Sequence, residues 1–186
     1  MKRFYLWTLV LIFLSGCASS RKTTAIYNTA GKEIKSTIIL KGNVPAKSIN
    51  TRNVAASKVV EFAQTLIGTP YKYGSSEPKK GLDCSGFIYY VFQKFKISVP
   101  RTSKDFTNAG EEISTLNSRK GDIILFTGSD VNSGMVGHMG IITENNNGIL
   151  KFLHSASGNN AGVMVSGMNS YFMPRFVKVI RVFRVF

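Results

Sequence analysis

A single α+β domain, with helices at its N-terminal end packed on a C-terminal antiparallel sheet, is the fold class this sequence predicts. Three observations carry the prediction. Between Ser57 and Phe95 apolar residues recur at helical spacing. Beyond Gly121 they fall into short runs of strand length separated by glycine- and asparagine-rich turns. Helices followed by strands, rather than alternating with them, is the order of an α+β domain with an antiparallel sheet. The chain has 186 residues, 44% of them hydrophobic, which is enough for one ordinary core once a leader and a linker are set aside.

The N-terminus reads as a leader. Lys2 and Arg3 precede an apolar run, Phe4 to Leu14, that is too short for a stable membrane-spanning helix and has the charged and hydrophobic parts of a secretion signal. It ends in Leu14-Ser15-Gly16-Cys17, which resembles the bacterial lipobox, so residues 1–17 are expected to be a lipoprotein signal with Cys17 as the acylated residue. A plain signal peptide or an uncleaved anchor is the alternative. Residues 18–56 are rich in Ser, Thr, Asn, Lys and Gly with a single acid, Glu33, and read as a flexible basic tether with a reach of roughly 35 Å; within it, Ile34 to Leu40 is strand-like. Residues 57–186 form the expected domain.

In that domain Ser57 is the expected N-cap of a first helix carrying Val59, Val60, Phe62, Ala63, Leu66 and Ile67 on one face and stopped by Gly68. A loop with Pro70, Gly74, Pro78 and Gly81 leads to Asp83-Cys84-Ser85, after which Phe87, Ile88, Val91, Phe92 and Phe95 mark a second helix starting at Cys84. Thr102 with Asp105 fits the cap of a short third helix. The strands are expected at Asp122–Phe126, His138–Thr143, Ile149–Ala156, Gly162–Ser166 and Lys178–Val185.

A formal net charge of +14 favours polyanionic surroundings: nucleic acid, anionic lipid, or carboxylate- and phosphate-rich wall polymer. Charge does not choose among them. The chain lacks an aromatic-and-basic RNA-binding signature, zinc-type Cys/His spacing and a glycine-rich phosphate loop, so no nucleic-acid partner and no cofactor are expected. The protein is expected to act as a monomer.

Of the two cysteines, lipidation would consume Cys17 and leave Cys84 unpaired, as either a buried inert thiol or a reactive one. At a helix N-terminus the backbone dipole favours its thiolate, and its own N–H can face a developing oxyanion. Both histidines, His138 and His154, fall in the strand half. If their strands pair through the turn Asn145-Asn146-Asn147-Gly148, the imidazoles become neighbours, one able to orient the other as a base. The same three residues could instead bind zinc, although no carboxylate cluster completes such a site.

Six ordered blocks resemble the NlpC-type (NlpC/p-sixty) papain-like cell-wall peptidases, from about Val59 to the C-terminus. They are Gly68-Thr69-Pro70-Tyr71-Lys72-Tyr73-Gly74, Gly81-Leu82-Asp83-Cys84-Ser85-Gly86-Phe87, Val99-Pro100-Arg101-Thr102-Ser103, Lys120-Gly121-Asp122-Ile123-Ile124-Leu125-Phe126, Gly137-His138-Met139-Gly140-Ile141 and Phe152-Leu153-His154-Ser155-Ala156-Ser157. The resemblance implies a papain-like fold, Cys84 as nucleophile, His138 as general base and then acid, and His154 as its orienting partner. It further implies that Tyr71 assists the oxyanion site and that Asp83 and Ser85 meet the free amine of a peptidoglycan stem peptide. The implied reaction is hydrolysis of the D-γ-glutamyl–diamino acid bond through an acyl-thioester. An amidase or acyltransferase on the same fold, or a wall-binding lipoprotein without activity, remains the alternative. Ser75 and Phe106 depart from the family pattern, which usually has glycine and often glutamine there. The glycine- and serine-rich segment from Gly128 to Gly137 is a third departure and could form a loop over the cleft. Ala18 lacks the acidic character that would retain a lipoprotein in the inner membrane, so the expected location is the outer membrane of a Gram-negative envelope.

Overall fold

A computed structural model describes residues 49–158 and 161–183, together with two short strands nearer the N-terminus. The expected signal, Cys17 and the strand-like run beyond Ile34 lie outside the described residues. The chain divides into two compact units, Met1–Gly42 and Asn43–Phe186. In the first, strands β1 (Ile26–Tyr27) and β2 (Glu33–Ile34) pair antiparallel.

The second unit packs from earlier than Ser57. Ile49, Val54 and Ala56 lie against its core, so the last residues assigned to the tether belong to the domain. Helix α1 (Ala56–Gln64) starts one residue before Ser57, with Ala55 at the N-cap position and no side chain capping it. The helix rests on burial of Val59, Val60 and Ala63 rather than on a cap, as amphipathic helices in tertiary context do. Leu66 and Ile67 fall beyond it.

A two-stranded ribbon that the sequence pattern did not reveal, β3 (Ser76–Glu77) with β4 (Gly81–Leu82), delivers the chain to helix α2 (Cys84–Lys94). Asp83 caps α2 by accepting the Gly86 N–H. Thr102 and Asp105 do interact, Thr102 Oγ1 donating to Asp105 Oδ2 at 2.6 Å and accepting the Asp105 N–H at 3.4 Å, although Ser103 rather than Thr102 holds the N-cap position. The helix that follows, Lys104–Asn108, is a short 3₁₀ segment that buries Phe106 in the core.

The sheet has six strands, all paired antiparallel: β5 (Glu111–Ile113), β6 (Ile123–Thr127), β7 (Val136–Asn146), β8 (Ile149–Ala156), β9 (Gly162–Gly167) and β10 (Phe176–Arg181). Their order is β5-β10-β6-β7-β8-β9. Every residue of β6 is buried, because the sheet is covered on both faces. Ile123 and Leu125 join Phe87, Ile88, Val91 and Phe92 in the helix-side core, whereas Ile124 and Phe126 pack with Phe152 and Phe172 on the other face. The β7–β8 hairpin turns through Asn147 and Gly148, at φ 49° and 89°, a two-residue turn of the primed kind that matches strand twist. Among the described residues no helix is long and apolar enough to cross a membrane.

Candidate active site

Three parts of the fold meet at the N-terminus of α2. The ribbon β3–β4 fixes the approach, because Asp83 N–H donates to the Ser75 carbonyl at 3.0 Å and a side chain at Gly86 would collide with that same carbonyl. Cys84 is therefore the first helical residue, half-buried, at a point where the helix cannot slide. Tyr71 bridges to Leu82 beside it. The Tyr71 phenol is pushed above its usual value, first by burial and then by the charges of Cys84 and Asp83, so it stays a protonated hydroxyl near neutral pH.

Arg101 organises the residues flanking Cys84. Its guanidinium donates to both carboxylate oxygens of Asp83, at 3.1 and 2.8 Å, and to Ser85 Oγ at 3.0 Å, while Ser85 Oγ donates to Asp83 Oδ1 at 3.1 Å. Burial alone would raise the Asp83 carboxyl; the Arg101 hydrogen bonds, the Gly86 N–H and the Arg101 charge outweigh it and hold the group below its ordinary value. Asp83 and Ser85 thus share one network, and both oxygens of Asp83 are occupied within it. Arg101 lies in one of the quoted sequence blocks, but nothing in its spacing to Asp83 signals the pairing.

The Cys84 sulfur touches two groups: Ser103 Oγ at 3.6 Å and the Gly137 carbonyl oxygen at 3.9 Å. It makes no hydrogen bond to either imidazole, although Gly137 is the residue immediately before His138. Burial pushes the thiol up; hydrogen bonding from Ser103 and from the backbone N–H groups of Ser85 and Cys84 opposes the shift, and the Asp83 charge adds to it. In this resting geometry the shift is upward, because burial of the sulfur outweighs the hydrogen bonds it receives.

The two histidines meet as their strand pairing requires. His138 stands opposite Phe126 on β6, at the end of a register shift that includes Gly137. His138 Nε2 lies 2.9 Å from His154 Nδ1, and His154 Nε2 lies 2.8 Å from Ser166 Oγ. Ser166 belongs to β9, two residues beyond Met164, the partner of His154, and so shares its face of the sheet. It was missed at the sequence level, although the β8–β9 register contains the signal. Phe172 covers both rings, with centroids 6.3 Å from His138 and 5.3 Å from His154. Burial pushes His138 down to about 4 and His154 down to about 3, the latter also through the neighbouring His138. Both rings are neutral near pH 7. In the proton arrangement His138 Nε2–H to His154 Nδ1, then His154 Nε2–H to Ser166 Oγ, the unprotonated nitrogen of His138 is Nδ1.

Among the described residues no group of three or more His, Cys, Asp or Glu side chains has the arrangement of a metal site. The imidazoles face each other rather than a common point shared with Cys84. The chain from Gly128 to Met135 forms the β6–β7 connection, its neck drawn tight where a Cβ on Gly137 would lie 2.7 Å from Gly128 Cα and N. Phe106, one of the departures from the family pattern, is a core residue, and Ser75 acts through its carbonyl.

Comparison with known proteins identifies the family and the fold. Residues 68–181 match the NlpC/P60 family. The chain is 29% identical over 177 residues to murein DD-endopeptidase MepS/murein LD-carboxypeptidase of Escherichia coli K12, covering 93% of this chain and 88% of that one. It is 41% identical over 123 residues to the probable peptidoglycan endopeptidase LytE of Bacillus subtilis 168, covering 65% of this chain and 33% of that one. Among solved structures, a protein of Staphylococcus aureus Mu50, described as similar to lipoprotein of the NLP/P60 family, superposes with a TM-score of 0.60 at 29% identity. That match covers 70% of this chain and 42% of the other. The papain-like α+β class expected from the sequence is the fold these relatives share.

Proposed function

Since this chain belongs to the NlpC/P60 family, we propose that it is a peptidoglycan hydrolase that cuts stem-peptide amide bonds with Cys84 as nucleophile. The observation that carries this reading is the relay His138–His154–Ser166, anchored on the strand whose Gly137 carbonyl touches the Cys84 sulfur. The thiol proton is assigned to pass to His138, the residue next to the Gly137 carbonyl that the sulfur touches; contacts of this kind often tighten only once substrate is bound.

The reaction then runs in two balanced halves. The thiol proton passes to His138 Nδ1 as sulfur bonds to the carbonyl carbon, and the same proton leaves with the departing amine as the C–N bond breaks. Water, deprotonated by His138, attacks the thioester; the C–S bond breaks and sulfur recovers its proton. The backbone N–H of Cys84 and the Tyr71 hydroxyl are the donors assigned to the oxyanion. His154 holds His138 in the tautomer with a free Nδ1. Asp83 and Ser85 are assigned to the subsite for the stem peptide's free amine, where an ammonium group would compete with Arg101 for the carboxylate. The bond we assign is D-γ-glutamyl–diamino acid.

We further propose that acylation of Cys17 anchors the chain to the outer membrane, which raises the enzyme's effective concentration at the wall. Cys17→Ser should then move the protein out of the membrane fraction; retention there would overturn the anchor. The decisive assay for the chemistry is mass spectrometry of purified muropeptides incubated with wild type and Cys84→Ala. Wild type should yield fragments whose masses identify the bond. Cys84→Ala should yield none while keeping its circular dichroism, and an active Cys84→Ala protein would overturn the assignment.

A further inference from the structure

We propose that Ser103 is a positioning residue: it parks the neutral Cys84 thiol against the Gly137 carbonyl and turns its own hydroxyl hydrogen onto the sulfur when the thiol proton leaves. The proposal rests on the reading of Cys84 as the nucleophile. Three atoms form a closed triangle, with Sγ to Oγ 3.6 Å, Oγ to the Gly137 oxygen 3.4 Å and Sγ to that oxygen 3.9 Å. Ser103 is only 8% exposed, so these contacts are not diluted by bulk water. It also occupies the N-cap position of the 3₁₀ segment yet makes no side-chain capping bond. A serine there ordinarily spends its oxygen on the helix N–H groups; this one is committed to the triangle instead.

The hydrogens decide how the triangle works. With a neutral thiol, the S–H and O–H groups face the carbonyl and each other, which holds the sulfur on the Ser103 side. Once sulfur is an anion, the carbonyl oxygen opposes it, and the Ser103 O–H is the side-chain donor in contact. Rotation about the Cβ–Oγ bond brings its hydrogen from the carbonyl to the sulfur without moving a heavy atom. The charged and titratable groups around the sulfur do not supply this help. Asp83, adjacent in the chain, disfavours the anion, and Arg101 is committed to Asp83. Tyr71 is a protonated phenol, while His138 on β7 and His154 on β8 are neutral.

The test compares wild type, Ser103→Ala and Ser103→Thr in the full chain. Alkylation of Cys84 by iodoacetamide is followed by peptide-resolved mass spectrometry from about pH 7 to about pH 12, a range that brackets a thiol raised by burial, alongside steady-state turnover of purified muropeptides. Ser103→Ala should raise the alkylation midpoint by about one pH unit, leaving about tenfold less thiolate below it. It should lower kcat by a similar factor at unchanged KM. Ser103→Thr keeps the hydroxyl and should restore both. Should the alanine variant melt early, Ser103→Gly deletes the same hydroxyl and carries the same expectation. A midpoint unchanged on deletion of the hydroxyl, or a threonine variant shifted as far as alanine, overturns the proposal. A shifted midpoint in a protein that leaves muropeptides intact supports the positioning role and removes the peptidase reading instead.

Discussion

Mild acid should destabilise this fold through its histidine pair. His138 at about 4 and His154 at about 3 lie well below the ordinary 6.5, so the folded chain binds fewer protons than the unfolded chain at pH below 6.5. The stability these neutral rings contribute is present above pH 6.5 and is lost as the pH falls toward their folded values. Proton linkage gives about 2 kcal/mol lost per imidazole between pH 7.5 and pH 5, or about 4 kcal/mol for the pair. That is a large part of the 5–15 kcal/mol typical of a domain's roughly balanced stability. Urea unfolding followed by circular dichroism at the two pH values measures it. His154→Gln provides the control, since its amide retains hydrogen-bonding groups for His138 and Ser166 but does not titrate, and its loss should be about 2 kcal/mol. Asp83, held below its usual range by Arg101, loses its contribution only at lower pH. Wild-type stability equal at both pH values, or a His154→Gln loss as large as that of wild type, would refute the burial of the pair as the cause.

Three other outcomes follow from the site. His154→Ala should lower kcat by at least about 100-fold, because His138 loses the partner 2.9 Å away that fixes its tautomer; muropeptide kinetics within about threefold of wild type would contradict the relay. Gly137→Ala should cost about 1–3 kcal/mol, because the added Cβ meets Gly128 at 2.7 Å and must push the β6–β7 neck apart. A thermal melt reads this, and an unchanged melting temperature counts against the tight neck. Arg101→Ala strands the Asp83 carboxylate and should cost about 2 kcal/mol, a figure discounted because the Arg101 side chain is 35% exposed; denaturant titration that finds no loss would show the pair to be unimportant for folding.

Much of this arrangement was legible in the order of residues. The Ile149–Ala156 strand runs between the same two residues in the structure, since its apolar run is bounded by a turn on one side and a glycine-containing segment on the other. Cys84 opens α2 as expected, because Asp83 is a strong cap and the apolar spacing after it is regular. The pairing of His138 with His154 followed from two strands and the Asn147-Gly148 turn between them. Less visible was α1, whose N-terminus is placed by burial of Val59, Val60 and Ala63 and not by Ser57. The β3–β4 ribbon and β5 are two or three residues long, too short to leave a periodic signal.

The residue pattern by itself determined the kinds of element, the end of the helix at which the cysteine sits and the strand pairing that joins the imidazoles, because each depends on local spacing. Tertiary structure alone decided the protonation states and the partners. Whether Cys84 is charged depends on how much water the surrounding chain removes, and on Ser103 and Gly137, which lie 19 and 53 residues away in sequence. Desolvation and long-range hydrogen bonding are properties of the packed volume, so no window of neighbouring residues carries them.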